Sequence, residues 1–155
     1  MEIRKGYKQT EVGIITSDWE VKKLGEIADF SNGKAHENFI SDDGKYIVAN
    51  SKFISSEGEV IKYSDHCFCL ASIGEILMVM SDVPNGKAIA KCFLVDRNEK
   101  YTVNQRICSL RAKIVDSRFL FYKLNRNPYY LTFDDGVKQT NLRKEDVLSK
   151  FEKTL

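Results

Sequence analysis

Short apolar runs separated by turn residues fill the middle of the sequence, and they constrain the fold more than any other feature. Between Lys45 and Leu110 the runs read KYIVAN, EVIKY, CFCLA, EILMVM, KAIAKCFLV and QRICSLRA, each bounded by Gly, Asn, Asp or Ser. Such runs are typical of strands in a mostly antiparallel sheet. SDVPNGKA predicts a tight hairpin turn, because Pro84 fixes φ and Asn85-Gly86 favours left-handed positions.

A helical pattern follows these strands. After Asp116 the apolar residues take helical spacing, with Asp116 or Ser117 able to cap the first turn. A short last helix is predicted over 142–148, with Asn141 as its cap. Nearer the amino terminus, WEVKKLGEIADF predicts a short strand that runs into a helical turn, and Asn32-Gly33 ends that segment.

The chain is predicted to form one domain with short flanking segments. We expect a polar lead segment over residues 1–18, a single domain over 19–150 and a separate tail over 151–155. A chain of 155 residues is long enough to bury roughly 68 to 70% of its unfolded surface without disulfides or metals. The predicted fold class is α/β of the α+β kind, with a twisted, mostly antiparallel sheet, short flanking helices and long loops.

Cysteine usage and hydropathy indicate a reducing compartment. The four cysteines, at 67, 69, 92 and 108, lack paired C-x-x-C spacing, and no apolar leader precedes Gly6, so we expect a cytoplasmic protein without disulfides. The longest apolar run, from Ile76 to Met80, is far shorter than the ~20 residues of a membrane span. His66 beside Cys67 and Cys69 offers metal-ligand types, but core thiols explain the cysteines better, and we predict no metal site.

Net charge alone indicates no polyanionic partner, because 24 basic and 22 acidic residues leave only +2. The distribution is uneven: the stretch from Arg97 to Arg126 holds eight basic and two acidic residues. Two interpretations of this stretch stay open, a surface that faces DNA phosphates and a solvated helix face with a strand edge.

One tetrapeptide raises the question of catalysis. Asn127-Pro128-Tyr129-Tyr130 is similar to the Asn-Pro-Pro-Tyr motif with which amino-methyltransferases hold a flipped base. Here a Tyr replaces the second Pro, the preceding segment reads as an amphipathic helix, and no Gly-rich turn after a strand is present to hold S-adenosylmethionine. We therefore predict that Pro128 marks a helix end, that the tyrosines pack nearby, and that the chain is not an enzyme.

Four motifs in sequence order carry a family resemblance. GYKQTEVGIITSDWEVKKLGEIADFSNGKA, GEILMVM, TVNQRICSLRA and GVKQTNLRKEDVL together cover Gly6 to Leu148. In this order they resemble the target-recognition domain in the specificity subunit of type I restriction-modification systems. Specificity subunits of this family typically hold two such domains joined by long helices, whereas this sequence holds one. By that resemblance, residues 151–155 are the truncated start of the spacer region.

The resemblance implies a function and partners. Such a domain reads one half of a bipartite target in double-stranded DNA and directs modification (methyltransferase) and restriction subunits to it. The chain is then a non-catalytic component that binds no cofactor itself, while S-adenosylmethionine, ATP and Mg²⁺ serve the partner subunits. Self-association stays open.

An alternative function also stays open: a truncated specificity fragment that serves mainly as a protein-interaction adaptor for modification subunits, without autonomous DNA binding. Exposed aromatic side chains would suit such an adaptor, and the same residues at helical spacing are also typical of a core. They are Phe119, Phe121, Tyr122, Tyr129 and Tyr130.

The polar loops supply the candidate DNA contacts, because amide side chains suit adenine and basic side chains suit guanine or phosphate. The candidates in three variable loops are Asn32, Lys34, His36, Asn50, Ser51, Lys52, Ser81, Asn85 and Lys87. The closing loop adds Lys138, Gln139, Thr140 and Arg143 as candidate contacts to the DNA backbone. A structural role is also open for Gln139 and Asn141, whose amides would tie the loop to the sheet and cap the last helix.

Overall fold

The computed structural model describes residues 2–154, which form many short strands and a few short helices. The strands are β1 (Tyr7–Thr10), β2 (Gly13–Thr16), β3 (Glu20–Lys23), β4 (Ala28–Asn32), β5 (Tyr46–Ala49), β6 (Tyr63–Ser64), β7 (Ile76–Val79), β8 (Ser81–Asp82), β9 (Cys92–Leu94), β10 (Tyr101–Val103), β11 (Ile107–Ala112), β12 (Thr140–Asn141) and β13 (Phe151–Thr154). The α-helices are α1 (Leu24–Ile27), α2 (Ser51–Ser55), α3 (Ser117–Leu124), α4 (Pro128–Leu131) and α5 (Lys144–Leu148), and a 3₁₀ turn covers Glu37–Phe39. This composition confirms the predicted α+β class with mostly antiparallel pairing.

The central sheet has the strand order β4-β11-β7-β9, and all of its pairs are antiparallel. Strand β7 is apolar throughout because both of its faces are buried. Ile76 and Met78 belong to the core cluster that includes residues of α1, α3 and α5, while Leu77 and Val79 belong to the cluster on the opposite face. The sheet is therefore a middle layer, covered by helices on one face and by a second sheet on the other.

The second sheet has the order β10-β5-β6, and its β5 and β10 strands run parallel. The sequence did not predict β10. Two runs predicted as strands, EVIKY and CFCLA, are mostly irregular: β6 covers only Tyr63–Ser64, and Leu70 makes a single bridge to Thr102. Strand β10 pairs with β5 on one side, and on the other side of β10 the CFCLA run makes only the bridge between Leu70 and Thr102.

Both flanking segments contain regular structure within residues 2–154. The lead segment holds the β1–β2 hairpin. Strand β13 pairs antiparallel with β3, from Phe151 opposite Lys23 to Thr154 opposite Glu20. The pairing with β3 ties the tail to the domain by backbone hydrogen bonds, and within this segment Lys150 and Glu152 form a buried ion pair.

The predicted helix after Asp116 is confirmed as α3. Its cap is Asp116, whose carboxylate accepts the Phe119 N–H at 3.0 Å. The last helix differs from the prediction, because α5 begins at Lys144 and Asn141 does not cap it. Asn141 lies in β12, where the chain is still extended, and the helix start is closed by the Arg143 N–H donating to Asp146 at 2.8 Å.

The Asn-Pro-Tyr-Tyr segment forms the start of a helix rather than the end of one. Helix α3 ends at Leu124, and Pro128 is the first residue of α4. A backbone N–H at the first position of a helix has no partner within the helix, so a proline there loses no hydrogen bond. The Asn127 side chain caps α4 by accepting the Tyr129 N–H at 2.9 Å. Tyr130 is fully buried, and its hydroxyl donates to the carbonyl oxygen of Val147 at 2.9 Å.

The SDVPNGKA segment forms the predicted turn but not a tight hairpin. The Gly86 N–H donates to the Val83 carbonyl at 3.0 Å, and Asn85 has φ of 57°. The strands on either side do not pair across this turn, because β8 pairs with β12 and β9 starts only at Cys92. The segment is therefore a long loop between the antiparallel neighbours β7 and β9.

Two of the four cysteines occupy the core as predicted. Cys92 and Cys108 are buried, and burial raises the pKa of the Cys108 thiol to about 12. Cys67 and Cys69 are only half-buried, which corrects the expectation that all four are core residues. Within residues 2–154, no group of three or more His, Cys, Asp or Glu side chains is placed to hold a metal, and no helix is long and apolar enough to cross a membrane.

Candidate nucleic-acid interface

The two sheets bring five polar loops to one edge of the molecule. In the central sheet the end of β4, the start of β11 and the end of β7 lie side by side, because Cys108 pairs with Asn32 and Ile107 pairs with Val79. Strands β5 and β10 are parallel and end together. We call this side the loop edge; it comprises residues 32–37, 50–52, 81–87, 104–106 and 138–141.

The turn at residues 104–106 is the centre of the loop edge, because it connects the two sheets. Its Asn104 N–H donates to the Ala49 carbonyl at 3.1 Å, and the Asn104 side chain accepts the His36 N–H at 3.1 Å. The first loop runs against this turn, since the Lys34 N–H donates to Val103 at 3.1 Å. Gly33 permits the approach: a Cβ there would lie 1.9 Å from the Asn104 carbonyl oxygen.

His36 is buried, which corrects its assignment as a surface DNA contact. Its exposed fraction is 0%. The ring atom Nδ1 lies 2.6 Å from the Lys34 carbonyl oxygen, which can only accept, so Nδ1 carries the proton. The other nitrogen then accepts from the Thr102 hydroxyl at 2.8 Å. His36 therefore fixes the first loop to β10, and the loop presents its neighbours to solvent instead.

The second loop opens α2. The Asn50 side chain caps this helix by accepting the Phe53 N–H at 2.8 Å, so its carbonyl oxygen is already used within the chain. Ser51 is half-buried, whereas Lys52 is exposed in the first turn of the helix. Of the three candidates in this loop, Lys52 is the one that solvent reaches freely.

The closing loop is tied to β8 by side chains. The Ser81 hydroxyl donates to the Asn141 side-chain oxygen at 2.7 Å, and the Gln139 amide donates to the Ser81 hydroxyl at 2.7 Å. Ser81 and Thr140 are 9% and 3% exposed, so neither presents its side chain to a ligand. These contacts assign Gln139 and Asn141 the structural role of tying the loop to the sheet.

The 81–87 loop is held in shape by the carboxylate of Asp82. This carboxylate accepts the N–H groups of Val83, Ala88 and Ile89 at 2.8, 2.8 and 3.0 Å. The Asn85 side chain lies against Gly136 of the closing loop, because a Cβ on that glycine would be 3.3 Å from the amide oxygen. Lys87 is left exposed on this loop.

The structure thus brings most of the predicted DNA-contact residues to the loop edge, but these residues differ in solvent exposure. The predicted residues that are exposed there are Asn32, Lys34, Lys52, Asn85, Lys87, Lys138 and Gln139. Arg143 is exposed as well, yet its guanidinium is engaged by Asp146 at 3.2 Å and by Glu145 at 2.9 Å.

Sequence reasoning missed two residues at the centre of the loop edge, Gln105 and Arg106. Both are exposed in the turn between β10 and β11. The run QRICSLRA predicts a strand that includes both residues, but β11 begins only at Ile107, and residues 104–106 form the turn that follows β10. A cleft of about 360 Å³ opens here, lined by Glu37, Asn50, Ser51, Lys52, Asn104, Gln105 and Arg106.

The basic stretch from Arg97 to Arg126 does not form one face. Arg97 pairs with Asp96 at 3.5 Å and Lys113 pairs with Asp29 at 3.5 Å, both at the end of the central sheet opposite the loop edge. From this stretch, Arg106 projects from the central turn. The exposed positive charge at the loop edge therefore comes from lysines scattered along the sequence together with Arg106, whereas Arg126 is half-buried and bound to the carbonyls of Gly86 and Ile89.

Comparison with known proteins decides the family. The family model described as "Type I restriction modification DNA specificity domain" matches residues 16–152. The chain belongs to this family. The resemblance inferred from the four motifs is thereby confirmed, and the chain is a DNA specificity domain of the type I restriction-modification class. A curated relative, the type I restriction enzyme MjaVIII specificity subunit of Methanocaldococcus jannaschii, is 27% identical over an alignment that covers 77% of this chain and 31% of that protein.

Solved structures show the same fold. A chain from work on complex assembly and conformational transition of the type I R-M system has a TM-score of 0.71 at 14% identity, over 90% of this chain and 35% of that one. The S subunit from M. genitalium has a TM-score of 0.65 at 16% identity, over 99% and 36%. The HsdS subunit from Thermoanaerobacter tengcongensis has a TM-score of 0.63 at 14% identity, over 97% and 36%. The chain spans about a third of the length of these relatives.

Proposed function

We propose that this specificity domain reads one half of a bipartite target in double-stranded DNA and directs modification and restriction subunits to that site. The observation that carries the proposal is the convergence of five polar loops on one edge of two rigid sheets. Phosphate contacts set the register of a protein on a duplex and base-edge contacts set the sequence. The loop edge offers both kinds of side chain within one surface.

The chemistry of the loop edge supports DNA as the ligand. Lys34, Lys52, Lys87 and Arg106 are exposed there and supply positive charge for phosphates or guanine. The loops that carry them are held by backbone and buried side-chain hydrogen bonds. A rigid arrangement suits sequence reading, because a contact group that is already positioned loses little freedom when it binds.

The proposal assigns no catalytic step to this chain. The Asn127 side chain accepts the Tyr129 N–H and donates to the Lys123 carbonyl at 2.8 Å, while Tyr130 is buried, so the tetrapeptide that resembles a methyltransferase motif has a structural role. We propose that the chain binds no cofactor and that S-adenosylmethionine, ATP and Mg²⁺ are used by the partner subunits. The free thiols suit the reducing cytoplasm, the compartment that we propose for it.

Modification subunits are the second proposed partner, and their docking surface is separate from the loop edge. Tyr122 is 72% exposed and Phe119 is 36% exposed on α3, so both are available to a protein partner, whereas Tyr130 is in the core. A fragment that acts only as an adaptor would use such a surface and leave the loop edge free. The loop-edge geometry favours the DNA reader over this alternative.

Fluorescence anisotropy tests the proposal. A labelled duplex of about 20 base pairs with randomised sequence is titrated with the chain at about 50 and 200 mM salt, with and without a modification subunit. With about 3 to 5 phosphates neutralised, the log-log salt slope is expected to be about −3 to −5. Weak binding by the chain alone with this slope supports an autonomous reader.

Two other outcomes separate the alternatives. Binding that requires the modification subunit identifies an adaptor whose DNA surface is completed by assembly. No binding in either condition, or affinity that does not change with salt, contradicts the proposed function.

A further inference from the structure

The cleft beside the central turn contains one arginine in an unusual conformation. Arg106 has φ of 70°, in the left-handed region that favours glycine and asparagine. Its backbone is fixed, because its carbonyl oxygen accepts the Met80 N–H at 3.0 Å and the Ile107 N–H closes the turn onto Asn104 at 3.3 Å. A non-glycine residue in this region carries some backbone strain, which the surrounding hydrogen bonds must hold in place.

Comparison with a second arginine shows what is unusual about the first. Arg126 also has a positive φ, of 51°, and its guanidinium donates to the carbonyl oxygens of Ile89 at 2.9 Å and Gly86 at 3.4 Å. That arginine therefore stabilises the fold from its strained position. The guanidinium of Arg106 makes no hydrogen bond or ion pair with any residue in 2–154, so its fork of donors is available to a ligand.

A carboxylate shares the cleft with Arg106. Glu37 lies in the 3₁₀ turn of the first loop and is exposed, and its side chain has no hydrogen bond or ion pair among the residues that the structure covers. A carboxylate at a surface that faces DNA is repelled by phosphates, but it can accept a hydrogen bond from an amino group on a base edge. In the major groove the cytosine and adenine amino groups are such donors.

Together these two side chains match one base pair. Guanine presents the acceptors O6 and N7 to a forked donor, and its partner cytosine presents the N4 amino group to a carboxylate. We propose that the cleft reads a G·C pair of the target through the major groove, with Arg106 donating to guanine and Glu37 accepting from cytosine. This inference rests on the proposed function and specifies part of it.

The remaining polar groups of the cleft have positioning roles. Asn104 accepts the His36 N–H, and Asn50 accepts the Phe53 N–H, so both side-chain oxygens are engaged within the chain. Asn104 ties the first loop to the central turn and, through its N–H on the Ala49 carbonyl, ties that turn to the end of β5, while Asn50 caps the start of α2. Glu37 and Arg106 are thereby presented from two loops to the same cleft.

Selection from a pool of random duplexes tests the inference. The full chain and its variants are incubated with the pool, and the bound fraction is sequenced. The wild type is expected to enrich a site with one position that requires G·C. Arg106→Gln is expected to lower the preference for guanine there by about 5- to 150-fold and to leave the other positions unchanged. Glu37→Gln is expected to relax the same position.

Matched variants and a modified base make the result specific. Arg118→Gln makes the same charge change on an exposed arginine at the opposite end of the central sheet, and it is expected to leave every base preference unchanged. Arg106→Asn is a second variant, because asparagine tolerates a positive φ and keeps the turn folded. Replacing that guanine with 7-deazaguanine removes N7, and we expect it to weaken binding of the wild type but not of Arg106→Gln.

The outcomes distinguish the inference from the proposed function. If the wild type enriches a sequence but Arg106→Gln weakens all sequences equally, Arg106 contacts phosphate and the inference is wrong while the function stands. The same conclusion follows if the enriched site has no position that depends on G·C. If the wild type enriches no sequence either alone or with a modification subunit, the proposed function fails as well.

Discussion

Replacing Gly33 with alanine tests whether the first loop and the central turn form one unit. A Cβ at this position would lie 1.9 Å from the Asn104 carbonyl oxygen, 2.6 Å from its carbon and 2.8 Å from the Val103 carbonyl oxygen. Ordinary contact between such atoms is about 3.5 Å, so a shift of roughly 1.5 Å is required. All three atoms belong to backbone, and a side-chain rotation cannot relieve the overlap.

The expected loss of stability follows from the hydrogen bonds that this shift stretches. Gly33 N–H donates to Ile107 at 2.9 Å, Lys34 N–H to Val103 at 3.1 Å, and His36 N–H to the Asn104 side chain at 3.1 Å. Each such bond contributes about 1 kcal/mol net, and overpacking adds about 1 to 3 kcal/mol. Since part of the strain relaxes, we expect Gly33→Ala to lose about 2 to 4 kcal/mol, which lowers Tm by about 5 to 15 °C.

Gly25→Ala is the matched control. This glycine lies in α1, and an added Cβ would meet the Leu148 Cβ at 3.4 Å, which is an ordinary contact. Alanine in a helix is favoured over glycine by up to about 1 kcal/mol, so Tm is expected to stay constant or rise slightly. The assay is thermal unfolding followed by circular dichroism, with DNA affinity measured on the same samples. Equal Tm values for the two variants would refute the close approach of Gly33 to Asn104.

Three further perturbations test the core and the loops. Tyr130→Phe removes the hydroxyl that donates to the buried Val147 carbonyl, and urea unfolding should show a loss of ~1 to 3 kcal/mol; an unchanged midpoint would argue against this bond. Asp82→Ala removes the acceptor of three backbone N–H groups in its loop, and trypsin should then cleave after Lys87 faster than in the wild type; equal rates would contradict that role. Burial raises the pKa of Cys108 from 9.0 to about 12, so the folded chain holds this proton more tightly than the unfolded chain. The stability of the wild type relative to Cys108→Ala should therefore fall between pH 9 and about 12, and a constant difference would exclude the shift.

Local patterns predicted those parts of the fold whose causes are local. The apolar run of β7 indicates a strand buried on both faces, and the structure places its alternate residues in two core clusters. Asp116 before an amphipathic segment predicts the capped start of α3, and both are present. In each case the determining residues lie within a few positions of one another, so a single sequence suffices.

The parts that the sequence did not predict depend on distant partners. Strand β10 has three residues, too few for a periodic pattern, and it exists because it pairs with β5, more than fifty positions earlier. His36 reads as a solvent-facing loop residue, but Thr102 and Asn104, more than sixty positions later, supply its buried hydrogen bonds. The same missed strand concealed the central turn, and with it Arg106.

The most direct test of the loop edge as the DNA surface compares salt slopes of two triple variants. Lys34, Lys52 and Lys87 are changed to alanine together, and the control changes Arg97, Lys113 and Arg118, which lie at the opposite end of the central sheet. Each lost phosphate contact reduces the log-log salt slope by about 0.9, so three lost contacts reduce it by about 2.7. The account predicts this reduction for the loop-edge variant and an unchanged slope for the control. An unchanged slope in the loop-edge variant, or an equal reduction in both, would contradict it.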